Sequence, residues 1–217
     1  HLAGERLWAG ALGDHDTALF FNKFPFIDSH LILVPDADER HPQYLTRLWL
    51  EYAWRLTEGL ADRLPGIGVG YNSIGASASV NHLHFQLFCR DRPLPVEADH
   101  WLHRGGEHAY PAECLTAHSE DGAYAQVEEL NARNIPYNLL IRPGRSYLLP
   151  RRPQGSYATV DWLQGHAWYE MCGGVVLTDR DRFESLASGQ IAAELARVTL
   201  SPATEPVPHR PRGTRVG

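Results

Sequence analysis

Between Gln43 and Leu64 apolar residues recur every three or four positions, at Leu45, Leu48, Trp49, Tyr52, Leu56 and Leu60. That period predicts an amphipathic helix, ended by Pro65-Gly66. Shorter apolar runs surround it. Ala18–Phe21 and His30–Val34 read as two strands around a Pro-containing turn, Asn22 to Ser29. Strands are predicted near Gly68–Asn72 and over His82–Cys89, separated by a loop of small residues. Further on, the pattern gives a strand at Glu113–Ala117 and a helix at Gly122–Ala132 with Tyr124, Val127 and Leu130 on one side. Pro136–Ile141 and Ser146–Pro150 bracket Pro143-Gly144 and predict a hairpin. A last helix is expected from Asp179 to Val198, capped by Thr178. Hairpins interspersed with helices imply an α+β fold in a single domain over residues 1–200, with a disordered Pro- and Arg-rich tail over 201–217.

Composition narrows the function. The 217 residues carry a net charge of −6, which argues against a nucleic-acid-binding surface. No apolar run approaches the roughly 20 residues that span a bilayer, so no membrane partner is expected. Cys89, Cys114 and Cys172 are isolated and odd in number, which suits free thiols in a reducing cytoplasm. The chain opens on His1 rather than Met, so it is expected to begin inside a longer product, where an N-terminal signal would not be visible.

One stretch carries chemistry. In a strand, side chains alternate faces, so His82, His84 and Gln86 share one face and Leu83, Phe85 and Leu87 the other. Just upstream lies Gly75-Ala76-Ser77-Ala78-Ser79, small residues that let backbone N–H groups and hydroxyls approach an anion. Three readings compete. The histidines are hydrogen-bonded structural groups; or they ligate a metal, although Phe88-Cys89-Arg90 supplies no acidic ligand; or one imidazole attacks phosphorus while the other polar groups neutralise the phosphoryl oxygens. His100, His103, His108 and His118 lack the spacing of a compact metal motif and are assigned no role.

Asn72 and Ser79-Val80-Asn81-His82-Leu83-His84-Phe85-Gln86 resemble the signature of the histidine-triad superfamily, in the branch where Gln replaces the third histidine. The upstream segment from Asn22 through His30 to Pro35 resembles that superfamily's earlier Pro-turn and strand. Leu94–Glu97, Asn134–Ile141 with Leu148–Arg151, and Trp168–Gly174 extend the likeness to the GDP-L-galactose/GDP-hexose phosphorylase family, from about Thr17 to Pro202. The Tyr-Asn-Leu-Leu and Pro-Arg elements also resemble dinucleoside tetraphosphate phosphorylases.

The resemblance implies an antiparallel sheet of histidine-triad type with flanking helices, extended or duplicated by the second half of the chain. It implies His84 as nucleophile, Gln86 as donor to the phosphoryl group, and His82 as an orienting residue. Asn72, Ser77, Ser79 and Arg151 are the expected phosphate contacts, and Asn22 either a nucleoside contact or a plain turn former. Arg142 and Arg145 read rather as a solvated hairpin edge, and Glu170 as a sugar contact or an ordinary strand-end carboxylate. No metal and no cofactor are implied. The expected substrates are a nucleotide sugar, most of all a GDP-hexose, and inorganic phosphate. The alternatives are a dinucleoside polyphosphate phosphorylase, a hydrolase, or a non-catalytic nucleotide-binding protein. A cytoplasmic homodimer fits this picture.

Overall fold

The computed structural model describes residues 6–200. Its core is one eight-stranded sheet, in which every neighbouring pair is antiparallel. In chain order the strands are β1 (Arg6–Leu12), β2 (His15–Phe21), β3 (Leu31–Pro35), β4 (Ile67–Asn72), β5 (Phe85–Cys89), β6 (Leu115–Ala117), β7 (Tyr137–Arg142) and β8 (Arg145–Pro150). Across the sheet the order is β1-β2-β3-β5-β4-β7-β8-β6. The second half of the chain therefore extends the sheet of the first, with β4 and β7 paired at the join. The helices are α1 (Arg47–Leu60), α2 (Glu120–Ala132), α3 (Trp168–Met171), α4 (Arg180–Ser185) and α5 (Ser188–Val198). The α+β class expected from the sequence is the one observed.

Alternation along the strands builds two cores. Leu33, Val69, Tyr71, Phe85, Leu87, Leu139 and Ile141 turn to one face and pack with Trp49, Leu50 and Trp54 of α1 and with Val127 and Leu130 of α2. Phe88, Leu140 and Leu149 turn to the opposite face and pack with Trp168, Met171, Leu195 and Val198. On that second face β4 presents Gly68 and Gly70. A Cβ on Gly68 would stand 2.4 Å from the Phe88 ring, and one on Gly70 2.3 Å from the Trp168 indole. The missing side chains admit two stacked aromatic rings, with Phe88 and Trp168 centroids 4.9 Å apart and 17° from parallel.

Several element ends differ from expectation. Helix α1 starts at Arg47 rather than Gln43, because Gln43 is held by the neighbouring segment: its N–H donates to Asn81 Oδ1 at 2.9 Å. The expected strand from His82 begins only at Phe85. Leu83 N–H instead donates to the His41 carbonyl (2.8 Å), and His84 N–H to Gln43 Oε1 (2.9 Å). The last helix is broken: Asp179, not Thr178, caps α4, and Leu186 and Ala187 are extended before α5. Strand β1 lay outside the predicted set because its side chains are mostly exposed and show no alternation of burial. The expected tail from Ser201 lies outside the described residues.

Candidate active site

His84 follows a segment held in place at three points. Gln43 fills the place of a missing strand: Oε1 accepts from His84 N–H, and Nε2 donates to the carbonyls of Asn72 (2.9 Å) and His84 (3.3 Å). His84 Nδ1 stands 2.8 Å from the His82 carbonyl. A carbonyl only accepts, so Nδ1 carries the proton and the neutral ring keeps its lone pair on Nε2. Burial lowers the pKa of His84, with the hydrogen bond to His82 opposing the shift. The imidazole is therefore neutral near pH 7. His82 orients this ring through its backbone; its own Nε2 is enclosed without a partner. The His82 pKa is lowered by burial and by the nearby Arg40 and His41.

Gln86 shares the face of His84 and lies opposite Ile32 on one side and Gly70 on the other. Its Oε1 receives two hydrogen bonds, from Trp168 Nε1 at 2.8 Å and from His30 Nε2 at 3.0 Å. An indole N–H can only donate, which fixes this atom as the oxygen. The amide NH2 must then point away from both donors. His30 is buried, and burial pushes its pKa down to about 4, with the Gln86 hydrogen bond opposing. It is thus neutral, with the proton on Nε2. Asn22 Nδ2 lies 3.0 Å from His30 Nε2 and 3.3 Å from Nδ1, while Asn22 Oδ1 accepts from Phe24 N–H at 2.9 Å. Asn22 closes the turn and also abuts His30.

Asn72, at the end of β4, is buried, and its Oδ1 accepts from Asn138 Nδ2 and from Trp168 N–H, both at 2.7 Å. Any donation to a ligand falls to its Nδ2. The loop after it folds back on itself, with Ala76 N–H bonded to Ser73 O and Ala76 O receiving Asn138 Nδ2. Ser77 takes a left-handed conformation (φ 71°), and its hydroxyl donates to the His166 carbonyl at 3.0 Å. Ser79 is exposed. Among the described residues, no group accepts from the backbone N–H of Ser77, Ala78 or Ser79.

Arg151 is fully buried. Its guanidinium donates to the carbonyls of His166 and Arg152, to Tyr157 Oη and, at 3.4 Å, to Asn138 Oδ1. Four of its five N–H groups thus meet acceptors in the protein, and it braces the wall behind Asn138 and the Ser77 loop. The reading of Arg142 as a solvated edge is corrected. Arg142 is buried and makes a two-pronged ion pair with Glu97, each contact 3.0 Å, while Nη1 donates to the Gly66 and Ile67 carbonyls. Glu170 sits in α3, not at a strand end, where its Oε2 accepts from Ala167 N–H. Burial pushes its pKa up to about 7.

Two family models match this chain: GDPGP1-like, N-terminal domain, over residues 8–88, and GDPGP1-like, C-terminal domain, over residues 110–204. The chain belongs to the GDPGP1-like family. Among curated relatives, GDP-L-galactose phosphorylase 2 of Arabidopsis thaliana is 28% identical over 205 residues, covering 83% of this chain and 47% of the relative. GDP-D-glucose phosphorylase 1 of Danio rerio is 36% identical over 81 residues, or 37% of this chain and 23% of the relative. The chain thus spans about half the length, or less, of the curated relatives it matches. The crystal structure of yeast Ap4A phosphorylase Apa2 superposes with a TM-score of 0.67 at 19% identity, covering 91% of this chain and 76% of that one. Its complex with AMP gives 0.65 at 20% identity, covering 93% and 79%. The chain therefore shares the fold of yeast Ap4A phosphorylase Apa2.

Within this family frame hydrogen bonds link Asn22, Gln86, Asn72 and the backbone of His84 through residues that the sequence did not single out for the site. His30 and Trp168 fix the Gln86 amide, and Gln43 fixes the His84 backbone. The local signals were slight. His30 and Trp168 were visible as members of segments that carry the family resemblance, without a role of their own, and Gln43 as the first residue of a predicted helix.

Proposed function

We propose that this chain carries out phosphorolysis of a nucleoside diphosphate hexose, most of all a GDP-hexose, through a nucleotidyl-histidine on His84. The observation that carries the reading is the pair formed by His84, with its proton held on Nδ1 by the His82 carbonyl, and Gln86, with its oxygen held by two donors. In the first step His84 Nε2 attacks the α-phosphorus. The N–P bond forms, and the bond to the bridging oxygen breaks. Hexose 1-phosphate leaves with the electron pair and needs no proton at neutral pH. The Gln86 amide donates to a non-bridging oxygen, where charge develops in the transition state. Asn72 Nδ2 and the N–H groups of Ser77 to Ser79 are the further phosphoryl contacts.

In the second step an oxygen of inorganic phosphate attacks the same phosphorus, the N–P bond breaks, and the nucleoside diphosphate departs with His84 neutral again. The names of the relatives, GDP-L-galactose phosphorylase and GDP-D-glucose phosphorylase, support this substrate class. His82 acts through its carbonyl, Asn22 on the nucleoside side beside His30, and Arg151 by bracing the phosphate loop. A reducing cytoplasm, where Cys89, Cys114 and Cys172 stay free thiols, and a homodimeric assembly complete the reading. Among the described residues no helix is long and apolar enough to cross a membrane.

The test is His84→Ala assayed with GDP-hexoses and labelled phosphate, with a dinucleoside tetraphosphate assayed in parallel. Loss of nucleoside diphosphate formation by about 10^3-fold or more is expected. Undiminished phosphorolysis contradicts the mechanism, and turnover of the dinucleotide alone reassigns the substrate.

A further inference from the structure

Hydrogen bonds string the residues of the site into one line. Asn22 reaches His30, His30 and Trp168 Nε1 both reach Gln86 Oε1, and Trp168 N–H reaches Asn72 Oδ1. The function proposed above, on which this inference rests, puts the nucleoside at Asn22 and the α-phosphoryl group at Gln86. The group expelled in the first step then lies toward Asn72 and the start of α3. A hexose 1-phosphate brings several hydroxyl donors there, and they need acceptors. The obvious oxygens are already taken. Asn72 Oδ1 receives Asn138 Nδ2 and Trp168 N–H, and the His166 carbonyl receives the Ser77 hydroxyl and Arg151.

Glu170 supplies what that end lacks. Ala167 and Trp168 present successive N–H groups where α3 begins. The first donates to Glu170 Oε2 at 3.0 Å and the second to Asn72 Oδ1 at 2.7 Å. One short piece of backbone therefore sets the carboxylate beside the Asn72 amide. Besides Ala167 N–H, only the residue's own N–H acts on the carboxylate as a donor, and among the described residues no side chain donates to it. Glu170 is half-buried. Burial outweighs these contacts and the nearby Arg151 charge, and pushes its pKa up to about 7. Holding Ala167 N–H takes one oxygen and no charge. The other oxygen is an acceptor short of a donor, and a ligand hydroxyl would provide one.

We propose that Glu170 determines hexose specificity, with Oε1 accepting a ring hydroxyl of the departing hexose 1-phosphate while Oε2 stays on Ala167. It serves the first step alone, because the inorganic phosphate of the second step brings no sugar. A sugar lacking that hydroxyl leaves the carboxylate oxygen unpaired and is rejected on that ground.

The test uses the full chain and Glu170→Gln, whose amide oxygen can still accept from Ala167 N–H but carries no charge. Rapid-quench mass spectrometry follows the charging of His84 from two donors. One is a GDP-hexose; the other is guanosine phosphorimidazolide, whose leaving group has no hydroxyl. Charging of the variant from the GDP-hexose should slow by about tenfold or more. Charging from the imidazolide, discharge by phosphate and Tm should match the unaltered chain. Equal slowing with both donors overturns the proposal, since it marks general damage to the site. Unaltered charging from the GDP-hexose overturns it too, and leaves Glu170 as a cap of α3. If no GDP-hexose charges the unaltered chain, the function proposed above fails, and this inference with it.

Discussion

At the scale of single residues, the site depends on which atom holds each proton. A carbonyl fixes the His84 proton on Nδ1, and an indole fixes the Gln86 oxygen. His30 serves the Gln86 oxygen through Nε2–H, with the Asn22 amide nitrogen 3.0 Å from that Nε2 and 3.3 Å from Nδ1. Its depressed pKa has a consequence for stability. With a folded-state value of about 4, His30 stays unprotonated where the histidine of an unfolded chain, with a value near 6.5, takes up a proton. Stability linked to His30 is thus complete above about pH 6.5 and declines as the pH falls toward 4. Between pH 7 and pH 5 the loss from this group is roughly 2 kcal/mol. Urea unfolding at the two pH values should show it, and His30→Gln should flatten that part of the slope. An unchanged slope in the variant would remove His30 from the account.

At the scale of elements, β4 supplies space as much as side chains. Gly70 lies across from Gln86 and beneath Trp168, so the indole can lie low enough to reach Gln86 Oε1. Gly70→Ala should displace the indole, destabilise the fold by about 1–3 kcal/mol and lower kcat. Trp168→Phe keeps most of the packing and removes only the donor. Both should lower kcat by about tenfold with little change in KM, since each weakens one hydrogen bond that holds the amide for the transition state. A Trp168→Phe enzyme with unaltered kcat would show that His30 alone orients Gln86.

The same elements explain what the sequence could and could not tell. Alternation at Leu83, Phe85 and Leu87 marked the buried face and so grouped His84 with Gln86. The helix period at Leu45–Leu60 was equally plain, because that stripe lies on the sheet. Gln43 was invisible as a strand substitute, since its bonds go to residues 29 and 41 positions away. Arg142 read as a charged hairpin edge and Arg151 as a phosphate contact. Their burial depends on acceptors at Glu97 and His166, which no local pattern announces.

At the scale of the whole molecule, one sheet joins the two segments that the family models match, and the proposed site draws on both. His84, Gln86, Asn72 and His30 come from the first segment, and Trp168, Asn138 and Arg151 from the second. Each half alone lacks part of the wall around the nucleophile. The central claim is that His84 becomes covalently nucleotidylated, and intact-protein mass spectrometry tests it most directly. Mixing the chain with a GDP-hexose in the absence of phosphate should add the mass of one GMP. Added phosphate should discharge it as GDP, and His84→Ala should never acquire it. A GDP-hexose turned over with no adduct on the intact chain, or an adduct that persists in His84→Ala, would contradict the account.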